Sequence, residues 1–395
     1  MRIATAFSTR LAIRQLRHIG LRLFGTFSGI CVAIVLVFAQ AGFMNALVGS
    51  ALNLPRALQA DLFITGPQFE TMAYSPPWFA RSLMDKALAV PGVADARPFY
   101  AIISQARNPY DGTAMSARFI AFDPSRPVLD LPEVMQALPY LKLPDAALLD
   151  SRSRRKFIPI IDRLENGGEQ RLYLQSPGAT LAPEMRVIGL YGLGPDFTID
   201  GSFIFSDLNY YRLFQLPLDR LSLGLLTIEP GADLLGVRNA VAAALGDRAK
   251  VFTHAEFIAG ERDYFIFQTP IGIILGFGLA VGIFIGAVFV MQALYSIIDM
   301  NISEYAVLRA MGYRDMFFIA LVLQIAVLIG VGAFIPSIGI TALIYELVGD
   351  ATRLRFTLSL DIVGTVFLAT IVMGSVAVLF AVRKLRRNNP LDLFG

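Results

Sequence analysis

Cysteine and histidine are almost absent from this sequence of 395 residues, which contains one cysteine, Cys31, and two histidines, His18 and His254. A single cysteine excludes an intramolecular disulfide, and three such residues are too few for a zinc site of cysteine and histidine ligands. We therefore expect the chain to fold without disulfide bonds, and the sequence predicts no metal site.

Charged residues are also scarce. They make up 16% of the chain against 55% hydrophobic residues, and the mean hydropathy is +0.59. Soluble domains carry about 25% charged residues. The net charge of +3 is too small for a general nucleic-acid-binding protein, which would need a concentrated basic face. The composition therefore favours a membrane protein without a nucleic-acid partner.

Four uncharged stretches are each long enough to cross a bilayer, which takes about 20 apolar residues. The first is too long for the apolar region of a signal peptide, about 7 to 15 residues, so we interpret it as a retained helix. The predicted segments are an N-terminal segment 1–22, a first span 23–47, a large domain 48–263, a second span with its stalk 264–298, a loop 299–315, a third span 316–345, a short loop 346–361, a fourth span 362–382 and a tail 383–395.

Basic residues flank the outermost spans and predict the orientation. Lys and Arg in short flanks favour the cytoplasmic side of a membrane. We therefore expect both termini and the loop 299–315 in the cytoplasm, the domain 48–263 and the loop 346–361 outside, and a multi-pass protein of the cytoplasmic (inner) membrane with a periplasmic domain. The basic flanking residues are Arg2, Arg10, Arg14, Arg17 and Arg22 at one end, and Arg383, Lys384, Arg386 and Arg387 at the other.

The outer domain has the alternating patterns of a mixed α/β fold. Two β-α-β units, separated by about 110 residues, predict a split β-α-β core into which residues 108–218 are inserted as a second subdomain. The first unit comprises a strand at Ala60–Gly66, a helix at Pro77–Val90 and a strand at Ala96–Arg107, and the second a strand at Leu221–Pro230, a helix at Ala232–Gly246 and a strand at Ala249–His254.

The sequence contains no group of residues that is typical of an active site. His254 lacks a recognisable nucleophile or base beside it, and Asp196, Asp200 and Asp207 among glycines fit turns better than a calcium loop. The chain contains no Gly-Lys dipeptide, so it has no Walker A loop. We predict a protein that is not an enzyme and has no catalytic residue, and whose energy, if it performs transport, comes from a partner.

The segment SEYAVLRAMGYRDMF, Ser303 to Phe317, resembles the coupling motif of the MacB/FtsX-type (type VII) ABC transporter permeases. The tyrosines after Glu304 and Gly312 resemble the DevC-type branch. The resemblance extends to LAIRQLRH before the first span, the single large outer domain, the three clustered C-terminal spans, and VRKLRRNNPLDLF at the end. It implies four membrane helices and a large outer domain.

The loop also has the physical features of a docking helix. Ser303 could cap its start and Gly312 its end, and the helix would have an apolar and a charged surface for a partner's groove. An amphipathic helix lying on the membrane is the alternative. The residues assigned to ATPase coupling are Ser303, Glu304, Tyr305, Leu308, Arg309, Met311, Gly312 and Tyr313.

Gly278, Gly282 and Gly286 recur every four residues in the second span and so share one helix face. Such a face packs either against a second copy of the chain or against the chain's own spans. The family resemblance favours a homodimer.

The resemblance implies a permease that transmits the motion of a separate ABC ATPase to its outer domains. That partner, itself expected as a dimer, would use ATP and Mg, and the permease would bind no cofactor directly. DevC-like members imply a membrane-fusion adaptor and an outer-membrane channel for export of lipidic or glycolipid substrates. The alternatives are an FtsX-like regulator of cell-wall hydrolases, a lipoprotein-release permease and an extracytoplasmic sensor.

Overall fold

A computed structural model describes residues 22–74, 76–175, 182–194, 196–313 and 315–387. Arg2, Arg10, Arg14 and Arg17, on which the orientation partly depends, lie outside the described residues, as does the end of the tail. The chain divides into two compact units. The helical unit comprises the described residues of Met1–Asn45, Pro270–Gly349 and Phe356–Gly395, and the α/β unit those of Ala46–Thr269 and Asp350–Arg355.

The described helices and strands are numbered here in chain order. The helices are α1 Arg22–Ala51, α2 Asn53–Ala57, α3 Ser82–Leu88, α4 Pro132–Leu141, α5 Ile158–Glu165, α6 Asp207–Phe214, α7 Leu234–Leu245, α8 His254–Asp263, α9 Pro270–Met300, α10 Ile302–Ala310, α11 Asp315–Thr352 and α12 Leu360–Arg387. The strands are β1 Leu62–Thr65, β2 Phe79–Ala80, β3 Val93–Arg107, β4 Ala114–Phe122, β5 Ala146–Asp150, β6 Gln170–Gln175, β7 Glu184–Tyr191, β8 Gly201–Ser206, β9 Arg220–Leu221, β10 Leu223–Ile228 and β11 Lys250–Thr253.

Four of the described helices, α1, α9, α11 and α12, are long and apolar enough to cross a membrane. The predicted fold class, four such helices and a large mixed α/β domain, is confirmed. Helix α11 continues seven residues beyond the expected end of the third span and stops where Arg353 adopts φ 59°. The expected loop 346–361 is therefore helical in its first half, because Glu346 and Asp350 permit a helix even though they end the apolar run.

The α/β unit contains a split β-α-β core. Strands β1 and β3 are joined through α3, and β10 and β11 through α7, yet the strands lie in the order β11-β1-β10-β3 with antiparallel pairing throughout. Strand β10 of the second unit therefore lies between β1 and β3, and strand β1 of the first unit lies between β10 and β11. Alternate residues of these strands point to opposite faces, so Phe63 and Phe99 lie in one apolar cluster while Leu62 and Tyr100 lie in another.

The inserted residues extend the same sheet through strand β3. The first part of β3 pairs with β10, and the second part pairs with β4. From β4 the pairing continues through β8, β5, β7 and β6, and β6 returns to β3 at Gln105–Arg107. Six strands therefore close into a ring, and β3 belongs to both this ring and the split core.

The helix expected at Pro77–Val90 is shorter than the sequence suggested. It begins at Ser82, and Phe79–Ala80 forms a two-residue strand that pairs with β9. The pairing satisfies backbone groups next to Pro77, and Phe79 is buried in the core. Long-range pairing therefore overrides the local helical pattern here.

Candidate coupling helix

Helix α10 lies between α9 and α11 in the chain and contains the first part of the segment Ser303 to Phe317, which resembles the coupling motif. Its N-cap residue is Asn301, whose backbone carbonyl accepts the N–H of Tyr305 at 3.1 Å. The Asn301 side chain donates to Ile297 O at 2.8 Å, at the end of α9. Ser303 therefore lies inside the first turn, and the expectation that it caps the helix is wrong by two residues. The side-chain amide of Asn301 fixes the turn between the two helices instead.

The other end of α10 has a backbone geometry that requires glycine. Gly312 adopts φ +90°, its N–H donates to Arg309 O at 3.0 Å, and the N–H of Tyr313 donates to Leu308 O at 3.2 Å. These two bonds form a Schellman motif with Gly312 in the position after the C-cap residue, Met311. The helix thus has a defined end, and Glu304 in its first turn and Arg309 in its last complement the helix dipole.

One face of α10 packs within the helical unit. Tyr305 is 4% exposed and meets Phe318 edge to face, with ring centroids 6.0 Å apart. Ala306 is also buried, and Leu308 and Tyr313 pack against the apolar core of the unit. These contacts fix α10 to the core of the helical unit.

The opposite face is exposed and apolar in its middle. Val307 is 55% and Met311 69% exposed, one helical turn apart, and Ser303, Glu304 and Ala310 are exposed beside them. Residues at this spacing lie side by side on a helix. We call these five residues the exposed face of α10.

The residues that the sequence assigned to ATPase coupling therefore belong to two different faces of α10. The structure places Ser303, Glu304 and Met311 on the exposed face, Tyr305, Leu308 and Tyr313 on or beside the packed face, and Arg309 and Gly312 at the helix end. Val307 and Ala310 were missed. The four-residue spacing of Ser303, Val307 and Met311 is the signal that could have identified Val307.

The glycine face of α9 is occupied by the chain itself. A Cβ atom on Gly278 would lie 2.7 Å from the Gln40 side chain, and one on Gly282 would lie 3.0 Å from Val37. At Gly286 it would lie 2.4 Å from the sulfur of Met373. Of the two interpretations of these glycines, the structure shows packing against helices α1 and α12 of the same chain. Helices α1 and α12 therefore lie directly against this face.

The three aspartates that lie among glycines have structural partners. Asp196 pairs with Arg118 at 2.7 Å, and Asp200 pairs with Lys156 at 2.7 Å. Asp207 begins helix α6, and the His254 ring meets Phe63 edge to face at 5.6 Å. Within the described ranges, no three His, Cys, Asp or Glu side chains are grouped as metal ligands.

Comparison with known proteins gives one family. Residues 267–390 match the family model described as FtsX-like permease C-terminal, a range that includes all of α9, α10, α11 and α12. The comparison with curated proteins found no match.

Solved structures that are similar to this chain include two domains of transporters. The periplasmic region of MacB from Actinobacillus actinomycetemcomitans matches over 51% of this chain and 92% of that chain, with 8% identity and a TM-score of 0.34. The extracellular domain of the noncanonic ABC-type transporter YknZ from Gram-positive bacteria matches over 49% and 99%, with 12% identity and a TM-score of 0.33.

The family match includes the segment Ser303 to Phe317, which carries the resemblance. Such a permease is a membrane subunit, which agrees with the four apolar helices. The chain therefore carries an FtsX-like permease C-terminal domain over residues 267–390, and the predicted resemblance to the MacB/FtsX-type ABC transporter permeases is confirmed.

Proposed function

We propose that this permease couples ATP hydrolysis by a separate ABC ATPase to motion of its α/β unit. Helix α10 carries the proposal, because it has defined ends, one face fixed to the membrane helices and one exposed apolar face. Force applied to the exposed face would reach α11 through the contact of Tyr305 with Phe318, and α9 through the hydrogen bond of Asn301 with Ile297 O. ATP and Mg would be used by the partner, with no cofactor bound to the permease.

The proposed orientation places both termini and α10 in the cytoplasm and the α/β unit in the periplasm. The basic residues at the two ends of the sequence support it, as does the even number of candidate spans among the described helices. In this orientation, the exposed face of α10 lies on the cytoplasmic side of the membrane, where an ATPase would be found.

The wider assembly is proposed on the family resemblance. A second permease copy would complete a homodimer, using a surface other than the glycine face of α9. Together with a membrane-fusion adaptor and an outer-membrane channel, the permease would form a tripartite exporter of lipidic or glycolipid substrates. The assignment of the chain to the DevC-type branch is part of this proposal. If a cell-wall hydrolase co-purifies in place of an adaptor, the FtsX-like regulator is the better assignment.

The exposed face of α10 provides the test. A carboxylate in Val307→Asp would be desolvated without a partner in the ATPase groove, so we expect at least about tenfold weaker attachment, about 1.4 kcal/mol. The permease should fold normally because Val307 is 55% exposed. Co-purification of the ATPase and its stimulated ATP hydrolysis would be measured at matched membrane levels.

Leu235→Asp is the matched control. Leu235 is 60% exposed on helix α7 of the α/β unit, so the same chemical change occurs on a helix with no proposed ATPase contact. It should retain wild-type attachment. If Val307→Asp also retains full attachment and stimulated hydrolysis, the coupling role of α10 is wrong.

A further inference from the structure

The loop of residues 66–74, between β1 and β2, is bound to helix α8 by a carboxylate. The N–H of Met72 donates to Glu261 Oε1 at 2.7 Å, and the Thr71 hydroxyl donates to Glu261 Oε2 at 2.9 Å. Thr71 Oγ1 in turn accepts the N–H of Ala73 at 3.0 Å. Both oxygens of one side chain therefore bind one short loop.

The contact is buried on both sides. Glu261 is 2% exposed, and Thr71 and Met72 are buried with it. One turn earlier on the same helix, Phe257 stacks on Phe69 of the loop with ring centroids 5.6 Å apart. The apolar part of the loop is thus held by Phe257, and its polar part depends on Glu261.

Charged groups around Glu261 do not neutralise it directly. Among the described residues, no lysine or arginine forms a salt bridge with Glu261. Arg118 on β4 attracts its charge from a distance but is paired with Asp196, which repels that charge. Lys250 on β11 donates to Phe69 O at 3.0 Å, which holds the loop at a separate point.

Three other groups face this region. Glu70 and Tyr74 belong to the loop, and Tyr264 follows α8 and interacts with both of them and with Glu261. Helix α2, which also packs on α8, carries the exposed Arg56. None of these groups supplies the buried counter-charge that an ionised Glu261 would require.

Burial raises the pKa of Glu261 from 4.5 to about 7, even though Met72, Thr71 and Arg118 favour the charged form. The neutral form keeps both hydrogen bonds, because a protonated carboxyl can donate to Thr71 Oγ1 and still accept from Met72. The pKa in the closed state exceeds the ordinary value, so closure is favoured below pH 4.5 and becomes less favourable as pH rises to about 7.

We propose that Glu261 is a proton-operated clamp that holds the loop 66–74 on helix α8 while neutral and favours release of the loop when ionised. Helix α8 is followed in the chain by the π-helical turn Tyr264–Gln268 and then by Pro270, the first residue of α9. The clamp therefore lies on the segment that leads directly into a membrane helix.

Hydrogen exchange of the full-length protein in detergent tests the clamp without any variant. After correction for intrinsic exchange rates, the opening of residues 66–74 should increase about tenfold between pH 6 and pH 8. Trp78, the single tryptophan of the chain, follows the loop and provides an independent fluorescence signal. Unchanged protection of the loop across this range would overturn the proposal.

Two substitutions on helix α8 separate the clamp from general effects of pH. Glu261→Gln keeps the shape and hydrogen-bonding capacity of the neutral form, so the loop should stay protected at pH 8. Glu256→Gln changes a carboxylate that is 42% exposed on the same helix, and it should show the wild-type pH dependence. If Glu261→Gln opens with pH as the wild type does, or if Glu256→Gln abolishes the dependence, Glu261 is not the clamp.

Discussion

The closest packing contacts differ between the helical unit and the α/β unit, although both contain aromatic contacts. In the α/β unit, stacked aromatic rings such as Phe119 and Phe203, with centroids 5.2 Å apart, fill the core. In the helical unit, glycines let helix α9 approach α1 and α12 closely. Bulky side chains suit the interior of a curved sheet, whereas small residues suit helices that gain little from burial away from lipid.

Hydropathy does not indicate how tightly a membrane helix is packed. Helix α9 has a mean hydropathy of 2.7 over its most apolar window, but only 17% of that window is buried. Helix α1 has a lower value of 2.2 with 50% buried. The sequence therefore shows that a helix suits the bilayer, while its neighbours have to be found from the structure.

Each unit contains a natural probe. Trp78 is the single tryptophan and lies in the α/β unit, and Cys31 is the single cysteine and is buried in the helical unit. Tryptophan fluorescence and thiol alkylation can therefore follow the two units separately in one protein. Three pairs of substitutions use these two probes.

Phe119→Ala should have the largest effect. It removes a fully buried ring that stacks on Phe203 and meets Phe214 at 5.0 Å, and the cavity should cost about 3–5 kcal/mol. We expect a lower urea midpoint of Trp78 fluorescence with unchanged alkylation of Cys31. Tyr211→Ala, at a ring that is 56% exposed, should change the midpoint little. Equal effects of both substitutions would contradict the assigned core.

Gly286→Leu should have an intermediate effect, confined to the helical unit. The added side chain would displace Met373 and approach Ala33, at a cost of about 1–3 kcal/mol. The rate of Cys31 alkylation should rise at least fivefold. Gly276→Leu on the same helix enters open space and should leave the rate unchanged. If the two variants behave alike, the packing of α9 against α1 and α12 is wrong.

A pair of Tyr→Phe substitutions should have the smallest effects. Tyr191→Phe leaves the buried Ser202 hydroxyl without its partner at 2.6 Å and should cost about 1–2 kcal/mol in the fluorescence-detected transition. Tyr345→Phe removes a bond to Phe38 O, a carbonyl that already has its own helical partner, and should cost less than about 1 kcal/mol. If Tyr345→Phe destabilises the helical unit, followed by Cys31 alkylation, more than Tyr191→Phe destabilises the α/β unit, this order is wrong.

The coupling helix shows how far local patterns reach. The motif from Ser303 to Phe317 predicted a short helix, and Gly312 predicted its end, because a positive φ is easiest for glycine. Which face would be exposed depends on where Phe318 and the core of the helical unit lie. Tyr305 was therefore assigned to the partner although it is buried within the chain.

The local sequence alone was sufficient to predict the four apolar helices and the alternating strands and helices of the split β-α-β core. A helix in lipid satisfies its own backbone hydrogen bonds, so about 20 apolar residues are sufficient evidence for a span. Only the tertiary structure decided that β3 joins the core to a closed ring, that the α9 glycines pack against α1 and α12, and that Glu261 is buried under the loop 66–74. These features join residues up to hundreds of positions apart, and each depends on a pairing or burial that no local pattern specifies.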